Sequence, residues 1–229
     1  MSPATLRTAG LSWALALASS AGAQPLQWSG EVAISSDMTE RGVSPWPDSP
    51  IAQGVIALSD ATHWVSSLTI ATALDRSHAT QLGARVAGYW SLSQDWQLQA
   101  RLVYYTYPDS QSNWPYERIE ATLGAGYRDL ASLEYSWVRL SESDRRLYPA
   151  IDLGLRWPLG DQWALAGGVG SAELPAWPGR HYRYADAGVV WREGPWRASL
   201  RYLWTGQPTR GMFGEFARPH FSATVAWSF

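Results

Sequence analysis

From Leu26 onward, apolar and polar residues alternate in segments of about ten, separated by turn-forming residues. Period-two alternation sends successive side chains to opposite faces of a sheet, so each segment reads as a strand with one apolar and one polar side. Twelve such segments follow in order: Leu26–Asp37, Ile51–Ser59, Trp64–Leu74, Thr80–Leu92, Trp96–Tyr107, Glu117–Tyr127, Ala131–Leu140, Tyr148–Trp157, Trp163–Ser171, Tyr182–Trp191, Trp196–Trp204 and Pro219–Phe229. In the fifth, Trp96, Leu98, Ala100, Leu102 and Tyr104 oppose Gln97, Gln99 and Arg101. In the last, Phe221, Val225, Trp227 and Phe229 oppose Ser222, Thr224 and Ser228.

The connections alternate in kind. Tight turns are expected at 60–63, 93–95, 128–130, 158–162 and 192–195. Longer links are expected at 38–50, 108–116, 141–147, 173–181 and 205–218, with a short one at 75–79. The tryptophans follow the tight turns: Trp64, Trp96, Trp163 and Trp196 come directly after one, and Trp90, Trp157, Trp191 and Tyr127 directly before. Amphipathic rings gather at membrane–water boundaries, so these eight, with Phe229, are the expected interface aromatics. Tyr104, Trp137 and Trp204 would form a second ring at the other end. Ten-residue strands match the reach of a tilted strand across a bilayer. Hydrocarbon offers no partner to an unpaired backbone group, so first and last strands must pair. The expected fold is all-β: a transmembrane up-and-down antiparallel β-barrel of about 12 strands.

Residues 1–23 read as a cleaved secretory signal peptide, with Arg7, the apolar run Leu11–Ala18 and the small residues Ala21-Gly22-Ala23. That leaves 24–229 as a single barrel domain. The chain has 15 Trp and 11 Tyr but only 4 Phe, a bias that fits the interface reading. Having 0 Cys, it carries no disulfide framework or thiolate chemistry. Losing Arg7 with the leader takes the net charge from −2 to −3, which argues against nucleic acid as a partner. Neither metal-ligand spacing nor a nucleotide-binding loop is present, so no metal or cofactor is expected.

With the apolar face toward lipid, the interior receives Glu31, Arg85, Arg101, Arg118, Glu120, Glu134, Asp152, Arg156, Asp186, Arg197, Arg201 and His220. Cations and anions are nearly balanced. They can pair into a network that satisfies a polar interior, or line a conduit. Pro45, Pro47 and Pro50 stiffen the first long link, which could fold inward as a constriction.

The strand that ends on Phe229 resembles the C-terminal signal of bacterial outer-membrane barrels, which implies an outer-membrane location and the barrel-assembly machinery as a partner. Glu40-Arg41-Gly42-Val43-Ser44, followed by Pro50-Ile51-Ala52-Gln53-Gly54, is similar to the opening of the Gcw_chp (TorF) family of bacterial outer-membrane porins. Val103-Tyr104-Tyr105-Thr106-Tyr107-Pro108 and Trp157-Pro158-Leu159-Gly160 resemble later segments of that family. Pro45-Trp46-Pro47-Asp48 departs from it, as does Trp64–Leu68. The resemblance implies a porin-like barrel and supplies no catalytic residues.

Three functions are open to such a chain. It can be a channel for small polar solutes. It can be a lipid hydrolase, for which His220 and Ser222 on one strand face are the candidate pair. Or it can be an adhesive surface barrel presenting Trp46, Trp114 and Trp177. The first follows most directly from the strand pattern, and catalysis is not expected.

Overall fold

The computed structural model describes residues 26–60, 63–75, 79–108, 117–140, 146–174 and 177–229, so the expected leader, residues 1–23, lies outside the described residues. Twelve strands form as the alternation requires: β1 Gln27–Ser35, β2 Ile51–Ser59, β3 Trp64–Ala73, β4 Thr80–Ser91, β5 Trp96–Thr106 and β6 Arg118–Tyr127. Then come β7 Ala131–Leu140, β8 Tyr148–Pro158, β9 Trp163–Leu174, β10 Trp177–Glu193, β11 Trp196–Thr205 and β12 His220–Ser228. Each pairs antiparallel with its sequence neighbours, and β1 pairs with β12 to close the barrel.

The registers keep one parity around the whole ring. Arg85 faces Ser67 and Val103, while Leu68 and Ala84 share the opposite side. The large apolar residues lie outside, with Leu123 at 55% and Leu155 at 58% exposure, whereas the carboxylate of Glu31 is at 2%. No second sheet covers the apolar rows among the described residues. A soluble sandwich is therefore excluded. Ten residues rising about 3.3 Å each at about 45° tilt span roughly 23 Å, the height of an apolar membrane band.

Local chemistry builds the tight turns. His63 N and Trp64 N both donate to Asp60 Oδ1 at 3.0 Å. Asp95 N and Trp96 N donate to Ser93 Oγ at 3.2 and 3.1 Å. These side chains satisfy backbone donors that a two-strand ladder leaves free at its end. At the seam, Gly30 and Phe229 exchange two backbone hydrogen bonds of 2.9 Å. The Phe229 ring lies across Gly30, where any Cβ would meet it, and stacks on Trp227 at 5.1 Å. The glycine is what lets the last aromatic close flat against the first strand.

One link differs from expectation. Residues 173–181 were expected as a loop, but pairing continues from β9 into β10, with Trp177 opposite Leu174 and a register shift before His181. The long links at 108–116 and 141–147 lie mostly outside the described residues.

Candidate functional site

The first long link does not project from the barrel. Glu40 and Val43 form a two-residue hairpin, Glu40 N to Val43 O at 2.9 Å and Val43 N to Glu40 O at 3.0 Å. Arg41 and Gly42 at its tip both take positive φ, +49° and +78°, as a primed hairpin turn demands. A Cβ on Gly42 would collide with Tyr184 and Thr205, so glycine also allows the backbone to press against the wall. The hairpin is anchored at its base by two apolar contacts. Met38 packs with Ile51, Ala71 and Ala73, and Val43 with Ala150, Ala172, Tyr182 and Ala217.

At the tip, Arg41 reaches the opposite wall. Its Nη1 and Nη2 donate to the two oxygens of Glu120 at 3.1 and 2.5 Å, and its Nε donates to Asp152 at 3.3 Å. Burial opposes the charge, but Glu120 and Asp152 outweigh it and hold the guanidinium well above its ordinary pKa. Glu40 accepts from Arg118 and, at 3.0 Å, from Gln81 Nε2. Tyr107 Oη accepts from Gln81 at 2.5 Å and from Arg118 at 2.8 Å. One hairpin thus ties β4, β6 and β8 together at the end of the barrel away from the tight turns.

The link 205–218 completes this cap. It folds into α1, Gln207–Phe213, and a 3-10 turn, Gly214–Ala217. Ser44 N donates to Phe216 O at 2.7 Å, Thr205 Oγ1 donates to Ala217 O, and Arg218 pairs with Asp48. Below the cap lies a cavity of about 370 Å³.

All twelve residues expected inside have inward positions. Arg85, Arg101, Arg118, Glu120, Glu134, Asp152, Arg156, Asp186, Arg197 and Arg201 line the cavity. Glu31 accepts from Arg197 at 2.7 Å and His220 meets Asp37 at 2.6 Å. Arg101 and Gln99 both donate to Glu134, at 2.8 and 2.7 Å. Arg201 lies 2.9 Å from Asp186, and Arg156 bonds Asp129 of a tight turn at 2.6 Å. Arg146 pairs with Glu173 at 2.5 Å.

Asp37, Glu40, Arg41 and Arg192 were not among the expected interior residues. Glu40 and Arg41 sit in a link with no periodicity, where only the charged pair before a glycine hinted at a role, and Asp37 closes the first expected strand, which ends two residues earlier, at Ser35. Arg192 belongs to the end of β10, not to the turn that follows it.

The candidate hydrolytic pair is not formed. His220 Nε2 faces Asp37, and its Nδ1 lies 2.8 Å from the Arg218 carbonyl, which leaves neither nitrogen for Ser222. Asp37 also accepts from Ser44 Oγ at 2.5 Å. The order is serine–aspartate–histidine, so the base does not touch the hydroxyl that a nucleophilic mechanism needs.

Of the loop tryptophans, Trp46 turns inward to the Met38 cluster and meets Tyr107 edge-on at 6.4 Å. It is not presented to the outside. Trp114 lies outside the described residues.

The aromatics at the tight turns share the outer surface. Trp64, Trp96, Trp157, Trp163, Trp196 and Phe229 are exposed. Trp90 packs edge-on against Trp64 at 5.7 Å, Tyr127 lies tilted against Trp96 at 5.1 Å, and Trp191 is directly opposite Trp163.

No family model matches the chain, and no characterised protein matches it in sequence, so the Gcw_chp resemblance rests on its motifs alone. Among solved structures the chain is similar to the KdgM porin, with a TM-score of 0.58 at 8% identity over 88% of this chain and 98% of that one. A protein solved in work on in-meso crystallization of membrane proteins gives a TM-score of 0.58 at 7% identity, over 88% and 83%. At such identities the likeness is one of fold. It is the fold of a porin barrel.

Proposed function

We propose that this chain is an outer-membrane channel that passes small polar solutes through a lumen of mixed charge, constricted at its outer end by its own first link. The observation that carries this reading is the cavity of about 370 Å³, lined by charged side chains, inside a closed barrel whose apolar rows face outward. Monomeric soluble proteins do not leave an apolar belt of that extent bare, whereas a bilayer covers it. The bacterial outer membrane is where closed barrels of this kind reside.

On this reading the aromatics at the tight turns form the girdle at the periplasmic interface, and Tyr104, Trp137 and Trp204 the outer one. The leader directs export, and the terminal strand is what the barrel-assembly machinery reads. The likeness to the KdgM porin supports the same conclusion at the level of fold.

Refolded protein incorporated into planar bilayers should give discrete conductance steps. A variant lacking residues 39–49 should give larger ones, because the cross-lumen hairpin is gone. A correctly folded barrel that conducts in neither form would overturn the proposal.

A further inference from the structure

The charges inside the barrel are not evenly matched along its length. Each cavity carboxylate described above already has a cationic partner, whereas Arg85 and Arg192 have no carboxylate among the described residues. Arg85 donates instead to Tyr89 Oη at 2.6 Å. Arg192 stands directly opposite Arg197 across β10 and β11, both pointing inward at the tight-turn end. Arg156 approaches from β8. The nearby countercharges, Glu31 and Asp129, are already engaged by Arg197 and Arg156.

Like charges directly opposite each other destabilise a strand pair. Here the cost is compounded, because Nε and Nη2 of Arg192 and Nε of Arg156 are buried and donate to no protein acceptor. Buried polar groups are normally satisfied, so donors left over in a cluster imply an acceptor that the chain itself does not supply. Guanidinium forks fit the paired oxygens of an oxyanion better than any neutral solute.

We propose that Arg156, Arg192 and Arg197 form an oxyanion-binding site at the inner end of the lumen, which takes small carboxylates or inorganic sulfate and phosphate. The site stands on geometry alone; its role in solute selection rests on the channel reading.

The test uses the barrel refolded in detergent. Sodium sulfate and sodium citrate are titrated calorimetrically at matched ionic strength, and melting is followed with and without each. Wild type should bind both anions and melt higher in their presence. Arg192→Gln should bind about 10-fold more weakly or worse, as expected for losing charge-assisted hydrogen bonds. It should also melt no lower than wild type without anion, because a like-charge contact has been removed. Arg139→Gln, on the outer surface, should change neither quantity. If Arg192→Gln does not refold, Arg197→Gln carries the same comparison, and Arg192→Lys, which keeps the charge but not the fork, should bind more weakly than wild type and more tightly than a glutamine variant.

Unchanged anion affinity in the glutamine variants, or a wild type that binds neither anion, overturns the site. Under a KCl gradient in bilayers, Arg192→Gln should shift the reversal potential toward cation selectivity, and an unshifted potential removes the site from the conduction path. A wild type that binds sulfate but never conducts would overturn the channel and leave the site standing.

Discussion

Replacing Arg41 with alanine should release the hairpin that crosses the lumen. Arg41 makes a two-pronged contact with Glu120 and a third with Asp152, and its side chain is only 20% exposed. Removing one partner of a buried ion pair costs about 3–5 kcal/mol, because the other partner is left without compensation. Water in the lumen screens part of that, so about 3 kcal/mol is a reasonable magnitude. At 1.4 kcal/mol per factor of ten, the ratio of displaced to seated hairpin should rise roughly 100-fold. The chain has 0 Cys, which makes a single-cysteine reporter clean. Val43 is 5% exposed in the seated hairpin, so Val43→Cys should react slowly with a membrane-impermeant maleimide. Adding Arg41→Ala should speed labelling by about the same factor, provided the hairpin moves faster than the reagent reacts. Conductance should become larger and noisier in parallel. Equal labelling rates with and without Arg41 would refute the reasoning: the hairpin would then be held by Met38, Val43 and the contacts of Glu40 and Ser44, and the Arg41 ion pair would be incidental.

Three further outcomes follow from the same geometry. Leu200 faces outward and Ser199 inward on β11, so Leu200→Arg should destabilise the barrel by about 2–4 kcal/mol while Ser199→Arg costs far less; denaturant titration in lipid vesicles would detect the difference, and equal costs would contradict the assigned parity. Gly30→Val sets a side chain against the Phe229 ring and should cost about 1–3 kcal/mol, read as a loss of the compact, heat-modifiable band on gels, with Phe229→Ala restoring part of it. Glu134→Ala strands both Arg101 and Gln99 and should cost about 3–5 kcal/mol; adding Arg101→Met should recover a good share, and a strictly additive double variant would show that the contact carries no coupling.

Strand positions were legible in the sequence because a closed up-and-down barrel is governed by one rule applied twelve times. The alternation in Trp96–Tyr107 specifies both strand and facing, and the structure places β5 at Trp96–Thr106. Charged residues within strands inherit their direction from that parity, which is why Arg101, Glu120 and Glu134 were visible as interior groups. The links obey no such period. Residues 38–50 carry three prolines and two adjacent charges, a composition that fits an exposed loop as well as an inward one. Their path is set by distant groups: Glu120 and Asp152 for Arg41, and Tyr184 and Thr205 for Gly42. Arg192 was missed for a related reason. Glycine and proline at 194 and 195 mark a turn, but the ladder extends to Glu193 opposite Trp196, so the arginine stays on the wall.

The seam between β1 and β12 has a consequence for how the ring comes into being. Every other ladder joins strands adjacent in sequence, and β1 meets β2 along the full run from Gln27 to Ser35, whereas its ladder with β12 runs from Glu31 to Ser35, flanked by the hydrogen bonds of Gly30 with Phe229 and of Ser36 with Ala223. Ten local hairpins and one more can zip in any order at small entropic cost, but this last ladder must bring together segments about two hundred residues apart. It should therefore be the final event of assembly and the first place the ring parts under strain. A crosslink placed across it should slow unfolding more than the same link anywhere else on the circumference.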